Sequence, residues 1–192
     1  MSQFKPWWQY LLDLAMGAIT KGQLAQAGAG PQALSTAVTV AVPLPSGFKA
    51  HQPPAGISES RDLADCHPEL ARRYLALKAG FEALTGRQLF LTCTWRSAAR
   101  QQELYRIGRR GLPGEKTVTQ MDGVTKRSRH MVYPSEAVDV CVDIDPGPGK
   151  HPVWDRMAYA PLGPLAAAQG LVWGGAWRMD DYPHIELPAG VV

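Results

Sequence analysis

The chain has 192 residues, and its 20 lysines and arginines outnumber its 17 aspartates and glutamates, for a formal charge of +3. With 45% hydrophobic and 19% charged residues it has an ordinary globular composition, which excludes a disordered tail, a collagen-like fibre and a large multidomain protein. We expect one domain with an appendage. The three cysteines, none in a close pair, predict neither a disulfide framework nor a thiolate zinc cluster. No basic run contains aromatic residues, so we expect no nucleic-acid partner.

The first 57 residues differ in composition from the rest and predict an N-terminal appendage. Residues 1–20 fit an amphipathic helix, which we expect to dock on the main domain rather than to act as a cleaved signal or a membrane-surface helix. Its apolar stretch is too short for a membrane-spanning segment. Residues 22–57 are rich in Gly, Pro, Ala, Ser and Gln and predict a linker or an irregular wrap, with a candidate short strand at 36–42.

From residue 58 onward, apolar periodicity, caps and glycine stops predict alternating helices and strands. The strand at 137–144 is the clearest, with valines and Ile144 on a core face and Asp139 on a small, acidic face. The predicted helices are 68–86, 97–108 and a stretch at 154–168 that is interrupted by Pro161 and Pro164. The predicted strands are 89–95, 137–144, 171–173 and 184–187. A long basic loop separates the second helix from the central strand.

Three side chains are candidate metal ligands: His130, Asp139 and His184. Asp139 lies on the polar face of its strand, and His184 shares a strand face with Glu186, so both faces could line one cleft. Two imidazoles and a carboxylate suit zinc and leave a fourth position open, which is typical of a catalytic site. Such residues also occur together by chance, so the spacing alone leaves open whether they bind a metal.

Two further residues are candidates for proton transfer and charge stabilisation. Asp181 precedes His184 by three residues and could take a proton from an attacking water and deliver it to a leaving amine. Arg96 follows a predicted strand, where a cation can stabilise a developing oxyanion. The alternatives are an ordinary turn aspartate and a surface salt bridge.

Several motifs occur in a fixed order along the chain. They are Trp95-Arg96-Ser97, Gln101-Gln102-Glu103-Leu104-Tyr105, Ser128-Arg129-His130, Ala137-Val138-Asp139, Trp173-Gly174-Gly175-Ala176-Trp177 and Asp181-Tyr182-Pro183-His184-Ile185-Glu186. Together they resemble the zinc peptidoglycan peptidases of the D-alanyl-D-alanine carboxypeptidase family. Within that family the chain resembles the phage endolysin branch, the L-alanyl-D-glutamate endopeptidases. The resemblance covers about residues 58–188.

The resemblance implies a role for each matching residue. It implies that His130, Asp139 and His184 are the zinc ligands, that Asp181 is the general base, and that Arg96 stabilises the tetrahedral intermediate. The residues implied to face the substrate or to support the ligands are Ser128, Gln102, Glu186 and Trp173. Glu186 would orient His184, because metal-bound histidines usually donate their other ring N–H to a partner.

One departure from the family pattern lies between His130 and Asp139. Eight residues intervene where the common form has six, and Tyr133-Pro134-Ser135 replaces the usual glycine. The longer turn keeps Asp139 on the same strand face as Ala137, but it leaves the position of His130 less defined. The basic loop at 109–129 is expected either to cover an anionic stem peptide or to be an ordinary solvated loop.

The resemblance implies a single α+β catalytic domain at 58–192, with an antiparallel sheet and helices packed on one side, as in the hedgehog/DD-peptidase fold. It implies zinc-assisted hydrolysis of an amide in the peptidoglycan stem peptide, with an L-Ala-D-Glu endopeptidase acting as a phage endolysin as the first choice. The alternatives are a D-Ala-D-Ala carboxypeptidase and a non-catalytic wall-binding or virion module. We expect a monomer that is made in the host cytoplasm, depends on a holin and acts in the periplasm and cell wall.

Overall fold

The computed structural model describes residues 56–145, 147 and 149–191. The predicted helix at 1–20, the candidate strand at 36–42 and nearly all of the predicted linker lie outside the described residues. Across the ranges that are described, no helix is long and apolar enough to cross a bilayer.

The described chain folds as an antiparallel sheet with helices, which confirms the predicted α+β class. The helices are α1 (Pro68–Thr85), α2 (Ala98–Arg106), α3 (Arg156–Tyr159) and α4 (Leu162–Ala168). The strands are β1 (Gln88–Cys93), β2 (Ala137–Asp143), β3 (Pro152–Val153), β4 (Val172–Trp173) and β5 (His184–Glu186). The strand order is β1-β2-β5-β4, and the short β3 pairs with the end of β2.

Helix α1 has the ends that the sequence predicts. Pro68 occupies the first turn, where its missing N–H costs nothing, and the His67 ring accepts the N–H of Glu69 at 3.3 Å. Gly86 ends the helix with a left-handed φ of 67°, which favours glycine. The buried side chains of α1 recur at helical spacing, so that one face packs into the core. They include Leu70, Tyr74, Leu77 and Phe81.

The core lies between the sheet and the pair α1 and α4, which contact each other, while α1 contacts β1 and α4 contacts β4. Val138, Val140 and Val142 of β2 are fully buried in this core. Ile144 was expected to continue their face but is 49% exposed, because β2 ends at Asp143 and the chain turns away. Fully burying a valine-sized side chain contributes about 1.5–3 kcal/mol relative to exposure.

Other predicted boundaries shift by a few residues. The strand predicted at 89–95 ends at Cys93, next to a register shift between Leu91 and Cys93. The broken helix predicted at 154–168 is two helices, because the chain bends at Pro161 between α3 and α4. The long basic loop contains no helix or strand before the turn at Arg129.

The second face of β2 is more buried than its acidic composition suggests. Cys141 is fully buried and Asp143 is 3% exposed. The Asp143 carboxylate accepts backbone N–H groups of Asp145 and His151, each at 3.1 Å, which compensates its lost hydration. Only Asp139 keeps substantial exposure, with 20% of its side chain accessible. Strand β2 therefore directs one carboxylate to an accessible position in an otherwise buried face.

Candidate metal centre and active site

Three different elements bring His130, Asp139 and His184 together. His130 lies in a 3-10 turn, Arg129–Met131, whose cap Ser128 accepts the backbone N–H of His130 at 3.3 Å. Asp139 lies in β2, and His184 begins β5 directly opposite it in the antiparallel register. Because paired residues share a sheet face, the register places the Asp139 and His184 side chains together.

Three atoms of these side chains face one another, and we call them the three inner donors because each can donate a lone pair to a cation. They lie close enough together to share one small cation. His130 Nε2 and His184 Nδ1 each lie 3.1 Å from Asp139 Oδ1, and the two nitrogens are 3.3 Å apart. Tetrahedral zinc with bonds of about 2.0–2.1 Å would place its ligand atoms about 3.3–3.4 Å apart. The separations therefore fit zinc with little adjustment.

The outer ring nitrogens determine which atoms face inward. His130 Nδ1 donates to the carbonyl of Thr94 at 2.6 Å, and His184 Nε2 donates to Glu186 Oε2 at 3.0 Å. The inner nitrogens are then lone-pair donors, and they meet the anionic oxygen of Asp139. Three electron-rich atoms at this distance need a cation among them, either a proton or a metal ion.

The pKa values of His184 and Asp139 indicate how the metal-free site is protonated. Burial acts to lower the pKa of His184, but hydrogen bonds to Asp139 and Glu186 outweigh burial and raise the pKa to about 10. Burial acts to raise the pKa of Asp139, but His130 and His184 hold it well below the usual value of a carboxyl. In the metal-free protein an imidazolium beside a carboxylate therefore balances the charge that a metal would carry.

The longer connection between His130 and Asp139 does not separate the two side chains. Ser135, in the departing stretch, is fully buried, and its hydroxyl contacts the Thr94 carbonyl at 2.9 Å. That carbonyl also accepts the His130 ring N–H. The insertion is thus anchored to the same backbone oxygen that orients His130.

Arg96 lies beside the three inner donors and is only 9% exposed. Its Nη2 donates to Asp139 Oδ2 at 3.0 Å, and its Nη1 donates to Gln101 Oε1 at 3.0 Å. Its backbone N–H donates to the carbonyl of His130 at 2.9 Å. The alternative of a surface salt bridge does not describe this buried guanidinium.

Gln101 is a site residue that the sequence reasoning missed. It is fully buried on α2, where it accepts from Arg96 and donates to the carbonyl of Met121 at 2.8 Å. The sequence reasoning selected its neighbour Gln102, which the structure places half-buried on the same helix. Adjacent helical residues differ by about 100° in direction, so only the phase of α2 relative to its cap Ser97 could have distinguished the two glutamines.

Asp181 lies in the turn that leads into β5. Its carbonyl accepts the N–H of His184 at 3.1 Å, and its own N–H donates to Gly174 at 3.0 Å. Burial and the negative charge of Asp139 raise the pKa of the Asp181 carboxyl, while His184, His130 and Arg96 oppose the shift. The carboxyl therefore lies within electrostatic reach of the three inner donors.

The two tryptophans of the Trp-Gly-Gly-Ala-Trp motif have different positions. Trp173 is half-buried, and its indole N–H donates to the carbonyl of Tyr182 at 2.8 Å, so it supports the turn before His184. Trp177 is 37% exposed, and its ring centroid lies 5.0 Å from that of His184. Trp173 was expected to face the substrate, but of the two rings it is Trp177 that lies against His184.

Glu186 has the position expected of the residue that orients His184. Its other oxygen, Oε1, lies 3.3 Å from Arg129 Nε, and Arg129 Nη1 donates to Glu136 Oε2 at 2.5 Å. The sequence places Arg129 in the basic loop and in the Ser128-Arg129-His130 motif, without assigning it a partner. Its link to two carboxylates depends on the pairing of β2 and β5 and is not visible in the motif.

All three cysteines are buried and free. Cys93 groups with His130 and Asp139 as a set that could hold a metal, and its Sγ lies 3.7 Å from His130 Nδ1. Burial raises the pKa of the Cys93 thiol to about 12, whereas metals bind the thiolate. The Cys141 thiol contacts the carbonyls of Val142 and Val153.

Comparison with known proteins shows what the chain is similar to. Residues 122–187 match the family model described as D-alanyl-D-alanine carboxypeptidase. A solved structure, the L-Ala D-Glu endopeptidase ChiX of Serratia marcescens, is similar over 74% of this chain and 94% of that chain, with 25% identity and a TM-score of 0.48. No curated protein sequence matches the chain.

The family match spans about a third of the chain and agrees with the predicted resemblance to the D-alanyl-D-alanine carboxypeptidase family and with a peptidase activity. The matched segment contains His130, Asp139, Asp181 and His184. The predicted zinc cofactor is confirmed with it, because zinc dependence is typical of this family and the described residues include a group that could hold a metal.

Proposed function

We propose that the protein is a zinc endopeptidase that hydrolyses the L-Ala-D-Glu amide of the peptidoglycan stem peptide and acts as a phage endolysin. The convergence of three electron-rich atoms from His130, Asp139 and His184 beside Asp181 carries the hydrolytic part of this proposal. The family match supports peptidoglycan as the substrate. The choice of bond and the endolysin role rest on the sequence motifs of the endopeptidase branch.

We assign the zinc ligands to the inner atoms of His130, Asp139 and His184. Bound zinc would supply Lewis-acid polarisation of the scissile carbonyl. The chain itself fixes the ligand geometry, because Thr94 and Glu186 hold the two rings and Arg96 holds the second oxygen of Asp139. Cys93 remains a neutral, buried neighbour of His130 in this assignment.

Asp181 is assigned as the general base. A carboxyl with a raised pKa can take the proton of the attacking water and deliver it to the leaving amine near neutral pH. Arg96 contributes positive charge beside the carbonyl oxygen as negative charge develops there. Its contacts with Asp139 and Gln101 hold the guanidinium in place before the substrate arrives.

The test is mass spectrometry of purified peptidoglycan after digestion with the zinc-loaded protein, with a chelated sample and Asp181→Asn as controls. We expect new free amino groups on D-glutamate, abolished by chelation and reduced about 10²–10⁴-fold in rate by Asp181→Asn. Asp181→Asn should keep its zinc, since Asp181 is not among the assigned ligands. An unchanged digest with zinc bound would refute the peptidase assignment for this substrate.

A D-Ala-D-Ala carboxypeptidase is the second candidate, because that is the description of the matching family model. Release of D-alanine alone, with no new amino group on D-glutamate, would establish it. A carboxypeptidase would use the same zinc ligands and the same general base. The two activities would differ in which bond of the stem peptide is positioned at the zinc. We place synthesis in the host cytoplasm and action at the wall, with a holin needed for access.

A further inference from the structure

We infer that the basic loop, residues 109–129, binds free carboxylates of the stem peptide and makes the enzyme selective for peptides that carry them. This inference rests on the proposed function and names the substrate chemistry that the same site would prefer. Three observations carry it: the concentration of charge in the loop, the absence of ion-pair partners for several of its cations, and the contacts that place the loop beside the site.

The positive charge of the chain is concentrated in the basic loop. The loop holds six lysines and arginines against two carboxylates, whereas the whole chain has a net charge of only +3. The remainder of the chain is therefore slightly negative. A local excess of positive charge beside a binding site raises the local concentration of negatively charged substrates.

The cations of the loop differ in whether they are neutralised. Arg110 pairs with Glu115, and Arg129 pairs with Glu136 and Glu186. Lys126 and Arg127 are exposed, and no carboxylate of the described residues lies within ion-pair distance of either side chain. These two cations directly precede Ser128, the cap of the turn that carries His130. They therefore offer uncompensated charge three and four residues before His130, a metal-ligand candidate.

Two contacts hold the loop against the site. On one side, Gln101 links Arg96 to the carbonyl of Met121. On the other side, Gln120 Nε2 lies 3.6 Å from Met179 Sδ, two residues beyond Trp177. The loop thus spans from the residue behind Arg96 to the segment that packs over His184. We therefore expect a substrate bound at the three inner donors to lie within reach of the loop.

The stem peptide has the complementary chemistry. D-glutamate is joined to the next residue through its γ-carboxyl, so its α-carboxylate is free, and further carboxylates follow on the same side of the L-Ala-D-Glu bond. An ion pair at an exposed rim contributes about 0.2–1 kcal/mol, so two pairs of about 0.7 kcal/mol each amount to about tenfold in affinity. Lys126 and Arg127 are the residues we assign to this binding.

The test compares two synthetic stem peptides that differ only in the D-glutamate α-group, carboxylate or carboxamide. Dissociation constants are measured by calorimetry with the zinc-loaded Asp181→Asn protein, so that binding is observed without hydrolysis. We expect K126Q/R127Q to weaken binding of the carboxylate peptide by about tenfold and that of the carboxamide peptide by about threefold or less. In the active protein the same change should raise KM and leave kcat within about twofold.

The matched control is R87Q/K150Q, which removes the same charge near the opposite end of β1 and β2. Equal weakening of both peptides, equal effects of the two double variants, or no binding of either peptide would overturn the inference. If the carboxylate peptide binds with the expected selectivity but is never hydrolysed, the inference stands and the proposed function fails.

Discussion

At the scale of single residues, the site depends on the groups that hydrogen-bond to the outer ring nitrogens of its two histidines. The Thr94 carbonyl and the Glu186 carboxylate each accept one ring N–H, and so they decide that His130 and His184 present lone pairs inward. Glu186 is itself held by Arg129, which also bridges to Glu136. A substitution of Arg129 should therefore alter zinc affinity, because it would change the positions of Glu186 and His184.

We predict that Arg129→Gln lowers zinc affinity by about 10–100-fold, the usual effect of losing a partner behind a ligand. Arg129→Lys should restore only part of the affinity, because a single ammonium cannot hold two carboxylates as a planar guanidinium does. Competition with a chromophoric chelator measures the affinity. Arg72→Gln, which breaks an exposed ion pair on α1, is the control. Unchanged zinc affinity in Arg129→Gln would contradict this role.

At the scale of elements, the Trp-Gly-Gly turn fits tightly between Trp173 and the turn before β5. A Cβ on Gly175 would lie 2.2 Å from the Trp173 ring, and one on Gly174 would lie 2.6 Å from the Asp181 carbonyl and 3.0 Å from His184 Cβ. Both glycines are buried. Close backbone approach, rather than an unusual backbone angle, is the reason that glycine occupies these positions.

Gly174→Ala should lower the free energy of unfolding by about 1–3 kcal/mol, because the extra methyl group must displace backbone. It should also lower kcat by more than the loss of folded protein explains, because the added methyl group displaces Asp181 and His184, which are site residues. Urea unfolding and peptide hydrolysis measure the two effects. Ala176→Ser, an exposed change in the same turn, should leave both near the parent values. A Gly174→Ala protein with parental stability would show that the turn can relax.

At the scale of the whole molecule, the stability of the metal-free protein depends on pH through the site. The pKa of His184 rises from 6.5 to about 10 on folding, so folding favours the protonated ring. The resulting stabilisation is complete below pH 6.5 and is lost as the pH rises through 10. Zinc reverses the trend, because it replaces the proton and binds better as the ring deprotonates.

We therefore predict that, in chelator, the free energy of unfolding falls between pH 7 and pH 10 more steeply in the parent protein than in His184→Gln. Urea unfolding at several pH values gives the pH dependence of the free energy of unfolding for both proteins. The buried thiols contribute equally to both, so the difference between the two slopes is the contribution of His184. With zinc in excess, the parent protein should instead gain stability with pH over the lower part of this range. Identical slopes for the two metal-free proteins would contradict the assigned proton site.

Much of the fold follows from local signals in the sequence. Helix α1 begins at Pro68 and stops at Gly86 as predicted, because caps and glycine stops act within one turn of the chain. The polar face of β2 and the pairing of Asp139 with His184 follow from strand periodicity once the two strands are neighbours. The motifs then indicated the family, because several of them occur together in order.

The remaining features depend on which faces meet in the tertiary structure. Gln101 rather than Gln102 reaches Arg96, because the orientation of α2 on the sheet decides between adjacent helical positions. Trp177 rather than Trp173 lies against His184, because the Trp173 ring packs against Gly175 and Tyr182. Arg129 reaches Glu186 only because β2 and β5 pair. The sequence alone determined the chemistry of the candidate residues, and packing between distant segments decided which neighbours hold them in place.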